Sequence, residues 1–138
     1  MLKVVLDTNI ILSSVSRKSP YHVIFKKLLA GSYELYLTTD ILLEYEEKLS
    51  TNFSADLAEL IISALMLKQN VKKVTTYFDL ALIVADYDDN KFVNCAFTAN
   101  VNYLVSNDKH FNVLKSVPFP QINVLKIDEF MAILEQID

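Results

Sequence analysis

Short apolar runs alternate with segments of helical periodicity along the whole chain. The clearest runs are LKVVL at residues 2–6 and YLV at 103–105. Short, almost wholly apolar runs are typical of strands buried on both faces, as in parallel sheets. The predicted strands cover residues 2–6, 33–37, 72–75, 103–105 and 122–125. Strands separated by helices predict an α/β fold, in which three α/β/α layers enclose a central, mostly parallel sheet of four or five strands.

Two of the predicted helices carry specific expectations. Gly31, the only glycine, follows an apolar stripe at residues 21–29 and suits the left-handed residue that ends many helices. A second stripe covers residues 54–68, and its periodicity places Leu60 on the inward face beside Ile61. Because the chain has one glycine, it lacks a glycine-rich loop for phosphates. Dinucleotide-binding folds and P-loop enzymes are therefore excluded.

The length and composition predict a single domain over residues 1–138. With 138 residues and 52% apolar content, the chain can bury one hydrophobic core without further cross-links. Cys95 is the only cysteine, so no internal disulfide can form and a reducing cytoplasm is the expected location. No apolar stretch reaches the ~20 residues of a membrane helix, and the N-terminal run is too short for a signal peptide.

The net charge of −4 argues against a broad basic surface for nucleic acids. It does not exclude a nuclease, because acidic metal ligands lower the net charge and bound divalent ions restore positive charge where a phosphate must lie.

Four acidic residues fall where apolar runs meet helix starts. Asp7 ends the first predicted strand and Asp108 follows the strand at residues 103–105, so both belong at the same edge of a parallel sheet. Glu44 and Asp89 lie near the beginnings of helices that face this edge. Taken singly, each residue also suits a plain structural role. The aspartates are good helix caps, and Glu44 fits an exposed surface position.

Taken together, the four carboxylates predict a metal site. Side chains of like charge at one edge would raise each other's pKa unless a cation lay between them. Oxygen ligands in a chain with two histidines favour Mg²⁺ or Mn²⁺ over zinc. Magnesium keeps several waters and binds a few carboxylates plus a substrate phosphate, which favours a phosphodiester substrate.

The acids lie within four short motifs. These are LDTN at residues 6–9, ILLEY at 41–45, DDNKF at 88–92 and LVSND at 104–108. In this order, with these strands and helices, they resemble the PIN domain nucleases, and specifically the toxin-like PIN proteins of prokaryotic toxin–antitoxin systems. The resemblance covers nearly the whole chain.

The resemblance implies an endoribonuclease that hydrolyses RNA with one or two Mg²⁺ or Mn²⁺ ions and leaves a 5′-phosphate and a 3′-hydroxyl. The implied catalytic metal ligands are Asp7, Glu44, Asp89 and Asp108. Further roles are implied for Asn9 and Ser106, which would orient carboxylates, and for Asp86, which would assist Asp89. The resemblance also implies a cognate antitoxin as partner, and a homodimer.

Three other functions compete with this interpretation. A ribonuclease that works without metal needs an acid and a base, and the chain offers only His22 and His110 as imidazoles. A phospho-accepting receiver domain also groups acids at a sheet edge, but it needs an acidic pair where this chain has only Asp7. A catalytically inactive PIN-like module that binds RNA or a protein partner stays open.

Overall fold

The structure is a computed structural model that describes residues 1–137. Its strands are β1 (Lys3–Leu6), β2 (Glu34–Leu37), β3 (Val71–Lys73), β4 (Tyr103–Val105) and β5 (Val124–Leu125). Its α-helices are α1 (Thr8–Ser14), α2 (His22–Leu29), α3 (Thr39–Asn52), α4 (Ala55–Leu67), α5 (Asn90–Ala99) and α6 (Ile127–Leu134). Turns of 3₁₀ helix cover Tyr87–Asp89 and Lys109–Ser116.

The strands form one parallel sheet in the order β3-β2-β1-β4-β5. Val4, Val5 and Leu6 of the central strand are all fully buried. Because successive side chains of a strand point to opposite faces, burial of all three means that both faces of the sheet are covered. The predicted three-layer α/β fold is confirmed.

The strand order reverses between β1 and β4. From β1 the chain adds β2 and β3 on one side and then crosses to place β4 and β5 on the other. Leu6 pairs with Val105, so the residues that follow these two strands emerge side by side. The carboxyl ends of strands at such a reversal form the crevice where open α/β sheets bind ligands.

A buried tyrosine fixes α3 over the end of β1. Tyr45 is fully buried, and its hydroxyl donates a hydrogen bond to the carbonyl oxygen of Leu6. Thr38 caps the same helix, since its side-chain oxygen accepts from the backbone N–H of Ile41 at 3.3 Å. The position of α3 relative to the strand end is therefore set by a cap and a buried hydrogen bond.

The inward orientation predicted for Leu60 is wrong, because its side chain is 66% exposed. The buried stripe of α4 consists of Ala58, Ile61 and Leu65. This helix packs mainly on α3, so only one stripe is covered. Since the helix is apolar on nearly every side, its periodicity could not identify the buried stripe.

Cys95 is fully buried on α5, and burial raises the pKa of its thiol to about 12. At neutral pH the thiol is uncharged and acts as a small apolar side chain. Among residues 1–137, no helix is both long enough and apolar enough to cross a membrane.

Gly31 has the left-handed conformation predicted for it. Its φ is 79°, and its N–H donates to the carbonyl oxygen of Leu28 at 3.1 Å just beyond the end of α2. A β-carbon at this position would meet no other atom within 4 Å. Any cost of a side chain therefore comes from the backbone conformation and not from a clash.

Gly31→Ala should lower the free energy of unfolding by ~1 kcal/mol, because an L-residue is strained at positive φ. Urea denaturation measures the change. The matched control is Asn100→Gly, at the left-handed residue (φ 51°) that ends α5. There the change should stay within about 0.5 kcal/mol, since glycine relieves strain but loosens the unfolded chain. Equal losses in both variants would contradict the conformational explanation.

Candidate metal centre

The site lies where β1 and β4 end beside each other. The backbone N–H of Asp7 donates to the carbonyl oxygen of Val105 at 3.0 Å. The next residue after β4, Ser106, is buried, and its hydroxyl donates to Oδ2 of Asp7 at 2.6 Å. The same Ser106 oxygen accepts from the N–H of Asp108 at 3.0 Å. One serine thus ties the carboxylate that follows β1 to the loop that follows β4.

A cleft of about 460 Å³ opens at this edge, and all four acids of the sequence motifs line it. Its lining residues include Asp7, Glu44, Asp89, Asp108, Asp86, Asp88 and Asn9. The carboxylates come from elements far apart in the chain. Their meeting is therefore a product of the sheet order and not of local sequence.

Asp7 occupies the cap position of α1 without acting as a side-chain cap. The residue is 7% exposed, and its carboxylate accepts from Ser106 instead. Burial raises the pKa of Asp7 above its usual value, and the nearby charges of Asp108 and Glu44 add to the rise. The hydrogen bond from Ser106 opposes this rise without cancelling it. The fold thus holds a carboxylate where its charge is poorly solvated.

Glu44 is largely covered, although its position within a helix also allowed an exposed surface residue. Its side chain is 19% exposed, and both of its oxygens have partners. Thr8 donates its hydroxyl to Oε2, and the ammonium of Lys91 lies 2.7 Å from Oε1. The buried hydroxyl of the neighbouring Tyr45 anchors this turn of α3 to β1. Glu44 is consequently held beside Asp7.

The acidic loop before α5 directs one of its aspartates into the cleft. Asn90 is buried and clamps the loop, because its amide donates to the carbonyl oxygen of Ile83 at 2.8 Å and accepts from the N–H of Ile83 at 2.9 Å. In the turn that results, the Asp89 side chain is 14% exposed whereas that of Asp88 is 72% exposed. Asp86 is exposed and accepts from the N–H of Asp88, which caps the 3₁₀ turn.

Asp89 is the most perturbed of the acids in the cleft. Burial raises its pKa to about 6. This value already includes the charges of Asp86, Asp108 and Asp7, which raise the pKa, and a hydrogen bond with His110, which lowers it. A carboxyl group with this pKa is still mostly ionised at neutral pH but binds a proton about 2 pH units sooner than a solvated aspartate.

Asp108 has a structural role as well as a place in the cleft. Its carboxylate accepts from the N–H of His110 at 2.9 Å and so caps the 3₁₀ turn of Lys109–Ser116. The capping function that its sequence position suited is therefore real. One oxygen of a carboxylate can cap a helix while the other faces a ligand, so the two roles are compatible.

His110 contacts the acids more closely than the sequence indicated. Its Nδ1 lies 3.3 Å from Oδ2 of Asp89 and 3.4 Å from Oδ1 of Asp108. Ligand atoms of Asp86, Asp89 and His110 all lie within 4.8 Å of one another, a spacing that could hold a metal ion. The signal in the sequence for this contact is the position of His110 two residues after Asp108.

The other residues singled out by sequence occupy separate positions. Asn9 is exposed and lines the cleft, and in residues 1–137 its side chain makes no hydrogen bond to a carboxylate. His22 lies on α2 with its Nδ1 2.8 Å from the carbonyl oxygen of Ser14. It does not line the cleft, so the two histidines do not form an acid–base pair there.

The donor set fits a hard divalent cation. Carboxylate oxygens dominate the cleft, and the one imidazole beside them is a ligand that Mn²⁺ accepts more readily than Mg²⁺. Burial is the main cause of the raised pKa values of Asp7 and Asp89, and the like charges of neighbouring carboxylates add to the rise. Asp7, Glu44, Asp89 and Asp108 could hold such an ion, which would neutralise this charge and a substrate phosphate together.

Several solved structures have a fold similar to that of this chain. VapBC2 from Rickettsia felis, solved bound to a DNA fragment from its promoter, is similar with a TM-score of 0.60 and 14% identity over 91% of this chain and 98% of that one. DNA-bound VapBC from Salmonella typhimurium is similar with a TM-score of 0.57 and 17% identity, over 92% of this chain and 99% of that one. The PIN domain endonuclease Utp24 is similar with a TM-score of 0.52 and 17% identity, over 90% of this chain and 84% of that one. At these identities the likeness concerns the fold.

The family of the chain follows from its sequence profile. Among curated proteins, none matches the sequence. A family model described as PIN domain matches residues 3–110, which is most of the chain and includes all four acidic motifs. The chain therefore belongs to the PIN domain family.

Proposed function

We propose that this protein is an endoribonuclease that depends on Mg²⁺ or Mn²⁺ and serves as the toxin of a toxin–antitoxin pair. The observation that carries the proposal is the meeting of Asp7, Glu44, Asp89 and Asp108 in one cleft at the reversal of the strand order. Membership of a family known for nucleases supports hydrolysis of a phosphodiester bond.

The residues divide the work of the site. Asp7, Glu44, Asp89 and Asp108 would hold the cation, which activates a water and neutralises charge on the leaving oxygen when it is bound. Ser106 orients Asp7 through its 2.6 Å hydrogen bond, and Thr8 orients Glu44. Such orienting partners typically contribute about 10- to 100-fold to metal affinity or activity.

The toxin role and the RNA substrate rest on likeness. Two of the structures with similar folds are DNA-bound VapBC complexes, which supports an antitoxin as the partner. A homodimer is the assembly that the resemblance to toxin-like PIN proteins implies. The Utp24 structure is that of an endonuclease. RNA is proposed over DNA because the four motifs resemble the toxin-like PIN ribonucleases.

A binding module without catalysis is the second candidate. A binding module gains nothing from a buried aspartate whose pKa is raised, because the ionised form of such a group destabilises the folded state. The site therefore favours the catalytic function.

Asp7→Asn should reduce Mn²⁺-dependent RNA cleavage by at least ~100-fold, because the amide is a poor cation ligand. The amide oxygen can still accept from Ser106, so the fold should persist. Single-turnover cleavage of a labelled RNA measures the effect, and circular dichroism checks the fold.

The matched control is Asp128→Asn, at an exposed aspartate of α6 that bonds to Tyr21 and lies outside the cleft. Its activity should equal that of the wild type. EDTA should abolish wild-type cleavage and added Mn²⁺ should restore it. Undiminished cleavage by Asp7→Asn, or cleavage that persists in EDTA, would contradict the metal mechanism.

Mn²⁺ binding should weaken as the pH falls below about 6. The raised pKa of Asp89 means that its carboxyl group is protonated below that pH, and a cation must displace the proton. The apparent affinity should fall about tenfold for each pH unit below 6. Isothermal titration calorimetry between pH 5 and 7.5 measures this, and an affinity that stays constant over that range would exclude Asp89 from the ion's ligands.

Asp89→Asn should stabilise the metal-free protein at neutral pH. A folded-state pKa above the unfolded value contributes stability that is complete at low pH and is lost as the pH rises through about 6. The amide of asparagine does not ionise, so the variant keeps this stability at neutral pH. In EDTA at pH 7.5 the melting temperature should rise by roughly 2–5 °C over the wild type, and at pH 4 the difference should vanish.

Mn²⁺ should then raise the melting temperature of the wild type but not that of Asp89→Asn. A variant that melts below the wild type in EDTA at pH 7.5 would show that the charge of Asp89 stabilises the fold, contrary to this account.

A further inference from the structure

One lysine lies among the carboxylates of the site. Lys91 belongs to the first turn of α5, and its side chain is 17% exposed. Its ammonium lies 2.7 Å from Oε1 of Glu44 and 2.6 Å from Oδ2 of Asp88. Both of these acids line the cleft. A positive charge of the chain itself is therefore bound to one of the four acids proposed to hold the cation.

The surroundings of Lys91 hold it in this place. The preceding residue, Asn90, is buried and clamps the start of α5 through hydrogen bonds of 2.8 Å and 2.9 Å with Ile83. The ammonium of Lys91 also lies 5.6 Å from the ring centroid of Phe92, which is buried. Lys91 therefore differs from a lysine on a solvated surface, whose side chain is free to take many conformations.

A different group of side chains has the spacing to hold an ion. Ligand atoms of Asp86, Asp89 and His110 lie within 4.8 Å of one another. Neither carboxylate that contacts Lys91 belongs to this group. Within residues 1–137, no lysine or arginine forms an ion pair with Asp86 or Asp89. The acids of the cleft thus divide into a set that an ammonium already neutralises and a set with room for an ion.

Glu44 connects the two sets without having to release Lys91. A carboxylate oxygen has more than one acceptor site, so Glu44 can contact an ion while it keeps its ammonium partner. It would then bridge an ion and an ammonium in the way that a carboxylate bridges the ions of a two-metal site. The Thr8 hydroxyl donates to Oε2 of the same carboxylate, so both of its oxygens are already in use. A second divalent ion would have to compete with these partners and with the positive charge of Lys91.

An ammonium can do part of the work of a second ion. In two-metal sites the ions lie ~3.5–4 Å apart and stabilise the attacking and the leaving oxygen of the phosphodiester. Lysine provides a compact positive charge that can stabilise a developing negative charge. It cannot coordinate and activate a water, so that task is left to a single ion.

We propose that the site binds one divalent ion and that Lys91 supplies the second positive charge, so that this lysine sets the metal stoichiometry. The inference rests on the proposed metal-dependent function and narrows its cofactor requirement from one or two ions to one.

Counting the bound ions provides the test. The probe is Mn²⁺ added to the purified protein. Isothermal titration calorimetry gives the number of ions per chain, and electron paramagnetic resonance shows whether two ions are spin-coupled. The wild type should bind one ion with the signal of an isolated Mn²⁺. Lys91→Met should bind two ions with the signal of a coupled pair, because it keeps the apolar stem but leaves Glu44 and Asp88 without their cation.

Two variants are the matched controls. Lys91→Arg keeps the positive charge and should bind one ion, as the wild type does. Lys48→Met removes the same charge from an exposed lysine that lines the cleft but forms no ion pair within residues 1–137. It should bind one ion with a Kd within about threefold of the wild-type value, since exposed charges contribute little.

Thermal melting separates this role from that of a structural ion pair. In EDTA, Lys91→Met should melt below the wild type, because two partly covered carboxylates lose their partner. Mn²⁺ should then raise the melting temperature of the variant by roughly 5 °C more than that of the wild type, the shift expected from an added ion at about ten times its Kd. Equal shifts would mean that Lys91 only ties α5 to α3, and the inference would fail.

The outcomes distinguish this inference from the function on which it rests. If the wild type cleaves RNA with Mn²⁺ but binds a coupled pair, or if Lys91→Met still binds one ion, the inference fails and the function stands. If the wild type binds one ion and Lys91→Met two but neither cleaves RNA, the role of Lys91 stands and hydrolysis fails. A wild type that binds no Mn²⁺ would overturn both. If Lys91→Met does not fold, a coupled pair in the wild type or in Lys91→Arg still contradicts the inference, and one isolated ion in each supports it.

Discussion

The structure depends on the parallel pairing of β1 with β4. This pairing brings the residue after Leu6 against the carbonyl oxygen of Val105, and it sets Asp7 and Asp108 on the same crevice. Two carboxylates so placed repel each other in a setting that water solvates poorly. Buried hydrogen bonds hold the carboxylates in place although their repulsion destabilises the fold. Selection for stability alone does not favour such an arrangement.

Lys91 partly offsets the negative charge at one side of the crevice. Its ammonium lies 2.7 Å from Glu44 and 2.6 Å from Asp88. Burial disfavours the charged lysine, but hydrogen bonds to the two carboxylates outweigh burial and raise its pKa. Within residues 1–137, no lysine forms an ion pair with Asp7 or Asp89, and these are the acids of the cleft whose pKa values are raised. Burial is the main cause of both rises, and the charges of neighbouring carboxylates add to them.

The sequence predicted the sheet and its acidic edge because both follow from short-range rules. Apolar runs identify parallel strands, and the ends of such strands share an edge, so the sequence alone predicts that Asp7 and Asp108 lie together. Which aspartate of the loop at residues 86–89 enters the cleft does not follow from such rules. It depends on the clamp between Asn90 and Ile83, which spans a loop without periodicity.

Other features required the tertiary structure. The contact of His110 with Asp89 joins residues on separate turns, and only the folded chain shows that they meet. Leu60 lies on the exposed side of α4, which periodicity could not identify because the helix is apolar on nearly every side and packs mainly on α3. The capping role of Asp108 and its place in the cleft are both present, so the two interpretations of that residue were not exclusive.

The outermost strand β3 has a consequence for self-association. β3 lies at one edge of the sheet, so no further strand pairs with the N–H and C=O groups on its outer side. Its Lys72 and Lys73 are exposed. If two copies paired along this edge as antiparallel strands, four ammonium groups would lie close together. Their repulsion opposes aggregation through this edge. The charge of Lys72 and Lys73 therefore disfavours association of two copies along this edge of the sheet.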